Sequence, residues 1–199
     1  MGFRYYAVYK PFRMLSQFTK DGKRPLLGEL AHFPPDVYPV GRLDGDSEGL
    51  LILTNNKALN HALLKPVHGH KRVYFAQVDR IVSDPALQQL REGVCIRINA
   101  EDYHTRPADA ERISEPELPP RFPPVRFRKD IPTSWIKIGL TEGKNRQVRK
   151  MTAAVGFPTL RLVRYAIEDL TIDGMDAGEV RELQEDELFR LLRLGHVGQ

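Results

Sequence analysis

The chain has 199 residues, of which 41% are hydrophobic and 28% are charged, and its formal net charge at pH 7 is +4. This composition is typical of a folded globular protein and argues against global disorder or a fibre. No apolar run reaches the roughly 18 residues that suggest a membrane span, and the first residues lack the apolar stretch of a signal peptide. The single cysteine, Cys95, excludes an internal disulfide and a multi-cysteine zinc site. We therefore expect a cytoplasmic protein that does not bind membranes.

Hydrophobic periodicity predicts short strands and helices in the first half of the chain. Aromatic and β-branched runs indicate strands, and patterns bounded by proline or glycine indicate helices. The predicted strands are 3–9, 37–43, 50–54 and 72–78, and the predicted helices are 26–33, 57–64 and 85–91. Asp84 is the expected N-cap of the last of these helices, because Pro85 follows it and Gly93 lies beyond the helix end.

Residues 100–132 interrupt this pattern. They hold seven of the fifteen prolines, and a proline cannot donate a hydrogen bond within a sheet. A loop of that length in a compact domain is usually functional or disordered. Because both flanks are predicted strands, we interpret 100–132 as an insertion loop within a single domain that spans 1–199.

The last third of the chain predicts strands at 134–141 and 160–170 and helices at 145–155 and 185–194. The apolar face of the first of these helices is formed by Val148, Met151, Thr152 and Val155. Arg146 and Lys150 lie on its opposite face, with Arg149 at the border. Strands that follow strands, interrupted irregularly by helices, favour an α+β fold with a mixed, largely antiparallel sheet.

Basic residues are concentrated in one segment. Residues 143–167 contain six cations and no acid, so the net charge of the rest of the chain is −2. The six are Lys144, Arg146, Arg149, Lys150, Arg161 and Arg164. A basic patch on a nearly neutral body is typical of a protein that binds a polyanion such as nucleic acid. The alternative is a solvated helix face followed by a loop.

The densest group of unusual residues lies at 41–55, where three glycines recur every four residues between two predicted strands. Asp44 precedes a glycine, and this dipeptide is typical of a hairpin turn. One interpretation therefore gives Asp44 a turn-forming role. The other gives it a catalytic role, because a carboxylate on such a turn can project into a cleft where Arg42 or Arg149 keeps it ionised.

Two further patterns suggest metal binding but are incomplete. Residues 44–49 match the first positions of an EF-hand loop, yet Asn55 stands where that loop needs a bidentate glutamate. His68 and His70 flank a glycine without an evident third ligand. We therefore expect no metal site.

Four segments, in the same order along the chain, resemble the motifs of pseudouridine synthases of the RsuA/RluE type. They are Tyr9-Lys10-Pro11, Gly41-Arg42-Leu43-Asp44 with Ser47-Glu48-Gly49-Leu50-Leu51, Lys71-Arg72-Val73-Tyr74-Phe75-Ala76-Gln77-Val78, and Glu142-Gly143-Lys144-Asn145-Arg146-Gln147-Val148-Arg149-Lys150-Met151. Residues 131–135 and 157–162 most resemble the RluE branch, which acts on large-subunit ribosomal RNA. Together the segments span nearly the whole chain.

The resemblance implies the fold of that family, with a central active-site cleft. It also implies an isomerase that converts a uridine of ribosomal RNA to pseudouridine without a metal or a cofactor. The resemblance to the RluE branch implies that this RNA is 23S ribosomal RNA. Such an enzyme flips its target nucleotide into a pocket. Asp44 is then the essential carboxylate, Arg149 pairs with it, and Tyr74 stacks on the flipped uracil with its hydroxyl near C5.

The resemblance assigns binding roles as well. Leu162 packs on the other side of the base, and Arg42 fills the space that the base leaves. The expected phosphate contacts are Lys144, Arg146, Lys150 and Arg164.

The chain departs from the family pattern at Phe12-Arg13, which replaces a glycine-containing turn. It also begins at the catalytic motifs, so we expect no N-terminal S4 RNA-binding domain, and a monomer whose catalytic domain itself supplies the RNA affinity. Two alternatives stay open. One is a non-catalytic RNA-binding or ribosome-assembly protein, and the other is a synthase for small-subunit ribosomal RNA or tRNA.

Overall fold

The computed structural model describes residues 2–20, 22–65, 69–126 and 128–195. Its strands are β1 (Tyr5–Lys10), β2 (Tyr38–Pro39), β3 (Glu48–Thr54), β4 (Arg72–Asp79), β5 (Cys95–Ile98), β6 (Glu101–His104), β7 (Asp109–Ile113), β8 (Thr133–Leu140), β9 (Thr159–Ile167), β10 (Leu170–Thr171) and β11 (Val180–Glu182). Its helices are α1 (Lys57–Leu64), α2 (Asp84–Glu92), α3 (Gln147–Ala154) and α4 (Glu185–Leu191).

One nine-stranded sheet runs through the described residues. Its order is β11-β1-β3-β9-β4-β8-β7, with β2 paired to β3 and β10 paired to β9, while β5 and β6 form a separate hairpin. The β3–β9 pair is parallel, and the other pairs are antiparallel. The predicted α+β fold with a mixed, largely antiparallel sheet is confirmed.

The sheet has two halves, which meet where β3 lies beside β9. The register pairs at this junction are Glu48–Val163 and Gly49–Arg164. The half that contains β1 and β3 packs against α1 and α4, and the half that contains β4 and β8 packs against α2 and α3. The junction between the two cores is where a cleft can open without breaking either one.

Local sequence sets where the helices begin. The Asn56 side chain accepts hydrogen bonds from the N–H groups of Ala58 and Leu59, at 3.0 and 3.1 Å, and so caps α1. The cap of α2 is Ser83, whose hydroxyl accepts a bond from the first turn. Asp84, the predicted cap, is instead the first helical residue, where its charge still favours the helix dipole.

Several predicted elements are shorter than expected, including the helices predicted at 145–155 and 185–194, which are α3 and α4. Residues 26–33 contain a single 3-10 turn, Leu27–Glu29, because the backbone there bonds to residues 15–17 of the preceding loop. The strand predicted at 37–43 reduces to β2, since Gly41 takes a left-handed φ of 70°. The strand predicted at 160–170 is the hairpin β9–β10, because Glu168 takes a φ of 49° between them.

The prediction of an irregular loop at 100–132 is wrong in its first part, which contains β6 and β7. Strand β7 pairs along β8 and so extends the main sheet. Most of the prolines follow β7 in the chain, and Arg161 on β9 holds that later part by donating to the Pro119 carbonyl oxygen at 2.7 Å. Across the described ranges, every helix is too short or too polar to cross a bilayer.

Candidate active site

A cleft of about 540 Å³ opens at the junction of the two half-sheets. The β2–β3 loop, the start of β4, the middle of β9 and the connection from β8 to α3 line it. Its volume falls in the range of about 300–1,000 Å³ that is typical of small-molecule sites, and it suits one nucleoside. The predicted site residues along its walls are Arg42, Asp44, Tyr74, Lys144, Arg146, Leu162 and Arg164.

Asp44 lies on a turn that backbone hydrogen bonds hold in place. The Ser47 N–H donates to the Asp44 carbonyl oxygen at 3.0 Å, and the Arg13 N–H donates to the Gly45 carbonyl oxygen at 2.6 Å. Arg13, from the atypical Phe12-Arg13 pair, takes a left-handed φ of 70°. Because backbone groups hold the turn, the half-buried carboxylate of Asp44 is available to the cleft.

Asp46 organises the two arginines beside Asp44. Both terminal nitrogens of Arg146 donate to the Asp46 carboxylate, at 2.8 and 2.7 Å. Arg149 donates to the Asp46 carbonyl oxygen at 2.6 Å and brings its Nε within 3.4 Å of the carboxylate. The hydrogen bonds from Arg146 lower the pKa of Asp46 despite its partial burial, and the charge of Arg149 adds to this shift.

The predicted ion pair between Arg149 and Asp44 is wrong. Arg149 pairs with Asp46, and Arg146 supplies the cation nearest Asp44, with Nη1 3.6 Å from Oδ2. Arg146 precedes α3 with a left-handed φ of 53°, outside the helical face on which the prediction placed it. The sequence pattern suggested only a metal-ligand role for Asp46, within the EF-hand-like segment 44–49. The sequence does hold a signal for the pairing of Asp46 with arginines. It is an acid two residues after Asp44, in a chain that also carries a strongly basic helix.

Strands β4 and β9 form one wall of the cleft. Tyr74 on β4 is in register with Arg164 on β9, and Ala76 is in register with Leu162. Arg164 is 5% exposed, and its Nε donates to the Leu50 carbonyl oxygen at 2.8 Å. The phosphate contact expected of Arg164 stays a prediction, and its buried side chain lies at the wall of the cleft rather than on the exposed basic surface. Burial lowers its pKa.

A second arginine of the basic segment is also buried. Arg161 makes a bidentate ion pair with Glu48, with both bonds at 2.9 Å. The segment 143–167 therefore exposes fewer cations than predicted, and those that remain accessible lie on α3 and just before it. Lys144 is exposed there, with Nζ 4.7 Å from the Tyr103 ring centroid. Lys150 is half-buried on α3, outside the cleft lining.

A buried carboxylate holds the connection between β8 and α3. Glu142 accepts hydrogen bonds from the Tyr103 hydroxyl at 2.6 Å, the Arg106 N–H at 3.0 Å and the Gln147 amide at 2.6 Å. Burial opposes ionisation of Glu142, but these bonds outweigh it and lower the pKa. Gln147 also accepts a bond from the Lys144 N–H at 2.9 Å. This network fixes the loop that presents the basic residues to the cleft.

Lys10, at the end of β1, is fully buried beside the acidic loop. Its Nζ donates to the carbonyl oxygens of Pro11 and Met14, at 2.9 and 2.7 Å. Burial lowers its pKa to about 7, although the charges of Glu48 and of two loop aspartates act in the opposite direction. The sequence places Lys10 in the Tyr9-Lys10-Pro11 motif, which does not by itself indicate that the side chain is buried.

The groups that suggested metal sites have other partners. Asp46 binds arginines, and the Glu48 carboxylate lies 2.9 Å from Arg161. His70 Nδ1 lies 3.4 Å from the Glu168 carboxylate, and His68 lies outside the described residues. Within the ranges that the structure describes, no three His, Cys, Asp or Glu side chains are grouped so that they could hold a metal ion.

Comparison with known proteins adds independent findings. A family model described as RNA pseudouridylate synthase matches residues 4–154. The "Ribosomal large subunit pseudouridine synthase E" of Xanthomonas axonopodis pv. citri (strain 306) is 50% identical over 169 residues, which are 83% of this chain and 86% of that protein. The protein of the same name from Vibrio parahaemolyticus serotype O3:K6 (strain RIMD 2210633) is 47% identical over 178 residues, 88% of this chain and 71% of that protein.

More distant similarity extends over almost the whole chain. The "Ribosomal large subunit pseudouridine synthase B" of Bacillus subtilis (strain 168) is 33% identical over 196 residues, 98% of this chain and 74% of that protein. A solved structure described as "Crystal structure of pseudouridylate synthase" has a TM-score of 0.76 at 24% identity and covers 96% of this chain and 74% of that one. The fold that the motifs implied is therefore confirmed.

Proposed function

The chain belongs to the RNA pseudouridylate synthase family, and from that premise we propose that it isomerises one uridine of large-subunit ribosomal RNA, 23S in bacteria, to pseudouridine. The proposal rests on the cleft, because Asp44, Tyr74 and Leu162 all line this one cavity. Two relatives named for the large ribosomal subunit are 50% and 47% identical to this chain, which supports that RNA as the substrate. The continuous sheet supports the assignment of residues 1–199 to one catalytic domain.

The reaction breaks the N1–C1′ bond of uridine, turns the base and joins C5 to C1′, with loss of the C5 proton and gain of a proton at N1. Asp44 acts at the ribose, where a carboxylate must be ionised to work. Arg146 lies beside this carboxylate, with its Nη1 3.6 Å from Oδ2, and helps to orient it. Tyr74 and Leu162 hold the two faces of the uracil ring while it turns.

The uridine must leave its stack to reach Asp44, which costs a few kcal/mol. Contacts between phosphates and the basic residues before and on α3 offset this cost. The proposed contacts are Lys144, Arg146 and Lys150. Arg42 is exposed at the edge of the cleft, where it can occupy the space that the base leaves.

Release of tritium from 5-tritiated uridine in ribosomal RNA tests the catalytic assignment. We expect Asp44→Asn to abolish release while the dissociation constant for RNA stays within about twofold, since the change removes charge but little volume. Asp109→Asn makes the same charge change at an exposed acid on β7 and should behave as wild type. A wild-type protein that binds the RNA but releases no tritium would instead be a non-catalytic RNA-binding protein.

A map of pseudouridines in a deletion strain tests the substrate. Carbodiimide treatment and primer extension should show one modification lost from 23S ribosomal RNA and restored by the wild-type gene but not by Asp44→Asn. If the lost pseudouridine lies in small-subunit ribosomal RNA or in tRNA and the 23S map is unchanged, the proposed substrate is wrong while the proposed reaction still holds.

A further inference from the structure

A second group of aromatic rings and arginines lies beside the cleft without lining it. Its members are Phe12, Arg13, Arg121 and Phe122, and we call it the Phe12/Phe122 surface. The Arg121 guanidinium carbon lies 4.1 Å from the centroid of the Phe12 ring, and that of Arg13 lies 5.8 Å from the same centroid. Phe122 is 88% exposed, more than any other large hydrophobic side chain among the described residues. The proposed reaction uses none of these four side chains.

Backbone contacts fix this surface next to the catalytic loop. The Arg13 N–H donates to the Gly45 carbonyl oxygen at 2.6 Å, one residue after Asp44. Arg121 Nη1 donates to the Leu160 carbonyl oxygen at 3.4 Å, two residues before the part of β9 that lines the cleft. The surface therefore borders the cleft, where the nucleotides next to a flipped uridine must pass.

The positive charge of this surface is continuous with that of α3. Arg149 on α3 donates to the Thr159 carbonyl oxygen at 3.3 Å, and Arg121 donates to the next carbonyl oxygen along β9. Among the described residues, neither Arg13 nor Arg121 makes an ion pair with a carboxylate. The nearby carboxylate of Glu48 is already paired with a buried arginine of β9. These guanidinium groups extend the basic path along which a phosphate backbone can be held.

The exposed ring of Phe122 gives this path a feature that phosphate binding does not need. When a target nucleotide flips out, the neighbouring base loses its stacking partner on one face. Unpaired bases of RNA stack on aromatic side chains and on guanidinium planes, and a basic groove with an aromatic ring is the usual arrangement for single-stranded nucleic acid. A phenyl ring in solvent beside two arginines fits this kind of partner.

We propose that the Phe12/Phe122 surface binds single-stranded RNA next to the target uridine, with Phe122 stacked on one unpaired base and Arg13 and Arg121 beside the phosphates. Phe12 serves as the platform on which the Arg121 guanidinium lies. This inference rests on the proposed function, because it takes RNA as the substrate.

Tryptophan fluorescence of Phe122→Trp tests the stacking directly. The chain has one tryptophan, Trp135, which is 6% exposed, so the emission of wild type should not change with RNA. The added emission of Phe122→Trp should be quenched to saturation by an oligouridylate of about twelve nucleotides, a length within the usual site size. A duplex of oligouridylate and oligoadenylate of the same length should not quench it. Emission that stays constant at saturating oligouridylate would overturn the proposal.

Affinity for the same oligouridylate measures the contribution of each group. Phe122→Ala should bind at least about fivefold more weakly with an unchanged salt dependence, and Phe122→Tyr should bind as wild type because it keeps the ring. Arg13→Gln should lower the slope of log affinity against log salt by about one. Phe3→Ala removes another exposed ring, at the opposite end of β1, and should have no effect. Equal affinities for Phe122→Ala and wild type would overturn the proposal and indicate a protein contact instead.

Single-turnover tritium release separates this inference from the proposed function. Phe122→Ala should need at least about fivefold more ribosomal RNA to reach its half-maximal rate, while its maximal rate stays within about twofold of wild type. A lower maximal rate at saturating RNA would place Phe122 in the reaction itself and overturn its role as a flanking contact. If the wild-type protein is inactive, the proposed function fails, while quenching and affinity still decide whether this surface binds RNA.

Discussion

Gly49 and Arg164 face each other across the β3–β9 junction with no room for a side chain between them. A Cβ at Gly49 would stand 2.8 Å from the Arg164 backbone nitrogen and would overlap its carbonyl oxygen, and the φ of Gly49 is 102°. Because this contact joins the Asp44 loop to the strand that carries Leu162 and Arg164, the glycine of the Ser47-Glu48-Gly49 motif sets the width of the cleft.

We therefore expect Gly49→Ala to lower the free energy of unfolding by about 3 kcal/mol, from backbone strain and overlap, and to abolish tritium release. Urea unfolding at constant m-value measures the first effect. Gly143→Ala is the matched control, since a Cβ there meets no atom within 4 Å. Equal stabilities for the two variants would show that β3 and β9 can separate without cost.

Asp46 should matter for turnover although it does not touch the base in the proposed mechanism. Asp46→Asn removes the charge that holds Arg146 and Arg149, so both arginines are free to shift toward Asp44. We expect turnover to fall about tenfold or more, because Asp44 is then misplaced, while RNA affinity stays equal or increases with the loss of one negative charge. Single-turnover rates and filter binding measure the two effects. If Asp46→Asn retains turnover, the role of Asp46 is limited to stabilising the fold.

A feature could be predicted when it depends on residues close together in the sequence, and was missed when it depends on residues far apart. Helix α1 has the predicted bounds because its cap and its apolar spacing are local. Strand β7 was missed because its partner, β8, begins twenty residues after β7 ends. Its own residues are mostly polar and lie in a proline-rich stretch, so they carry no strand pattern of their own.

The same distinction applies within the site. The motifs identified Asp44, Tyr74 and Leu162 as residues of one cleft, and the structure places them there. The partner of Arg149 was predicted wrongly and the burial of Arg164 was not predicted, because both depend on how segments about a hundred residues apart come together. Sequence spacing shows which residues share one face of a strand or helix. It does not show which other segment of the chain packs against that face.

Lys150 should contribute to RNA affinity through charge alone. Lys150→Ala is expected to weaken RNA binding and to lower the slope of log affinity against log salt by about one. Lys137→Ala removes an equal charge from β8, where Lys137 is paired with Glu111 at 3.1 Å, and should leave the slope unchanged. Filter binding across a salt series distinguishes the two variants. An unchanged slope for Lys150→Ala would remove this residue from the proposed phosphate contacts.

Lys10 should make the stability of the fold depend on pH. Its pKa is about 7 in the folded protein against an ordinary value of 10.5, so between these values the unfolded chain binds the extra proton. The free energy of unfolding should therefore rise with pH through this window, by about 2 kcal/mol between pH 7 and 9. Tyr5 and Tyr9, with pKa values of about 12, do not ionise in that range.

Urea unfolding of wild type and Lys10→Met from pH 7 to 9 measures this dependence. Lys10→Met leaves the Pro11 and Met14 carbonyl oxygens without their donor, so its stability can be lower throughout, and the slope with pH is the informative quantity. That slope should be lost in Lys10→Met and kept in Lys57→Met, which removes an exposed lysine at the start of α1. Parallel curves for wild type and Lys10→Met would mean that Lys10 stays charged in the folded protein, held by the acids of the Asp44 loop.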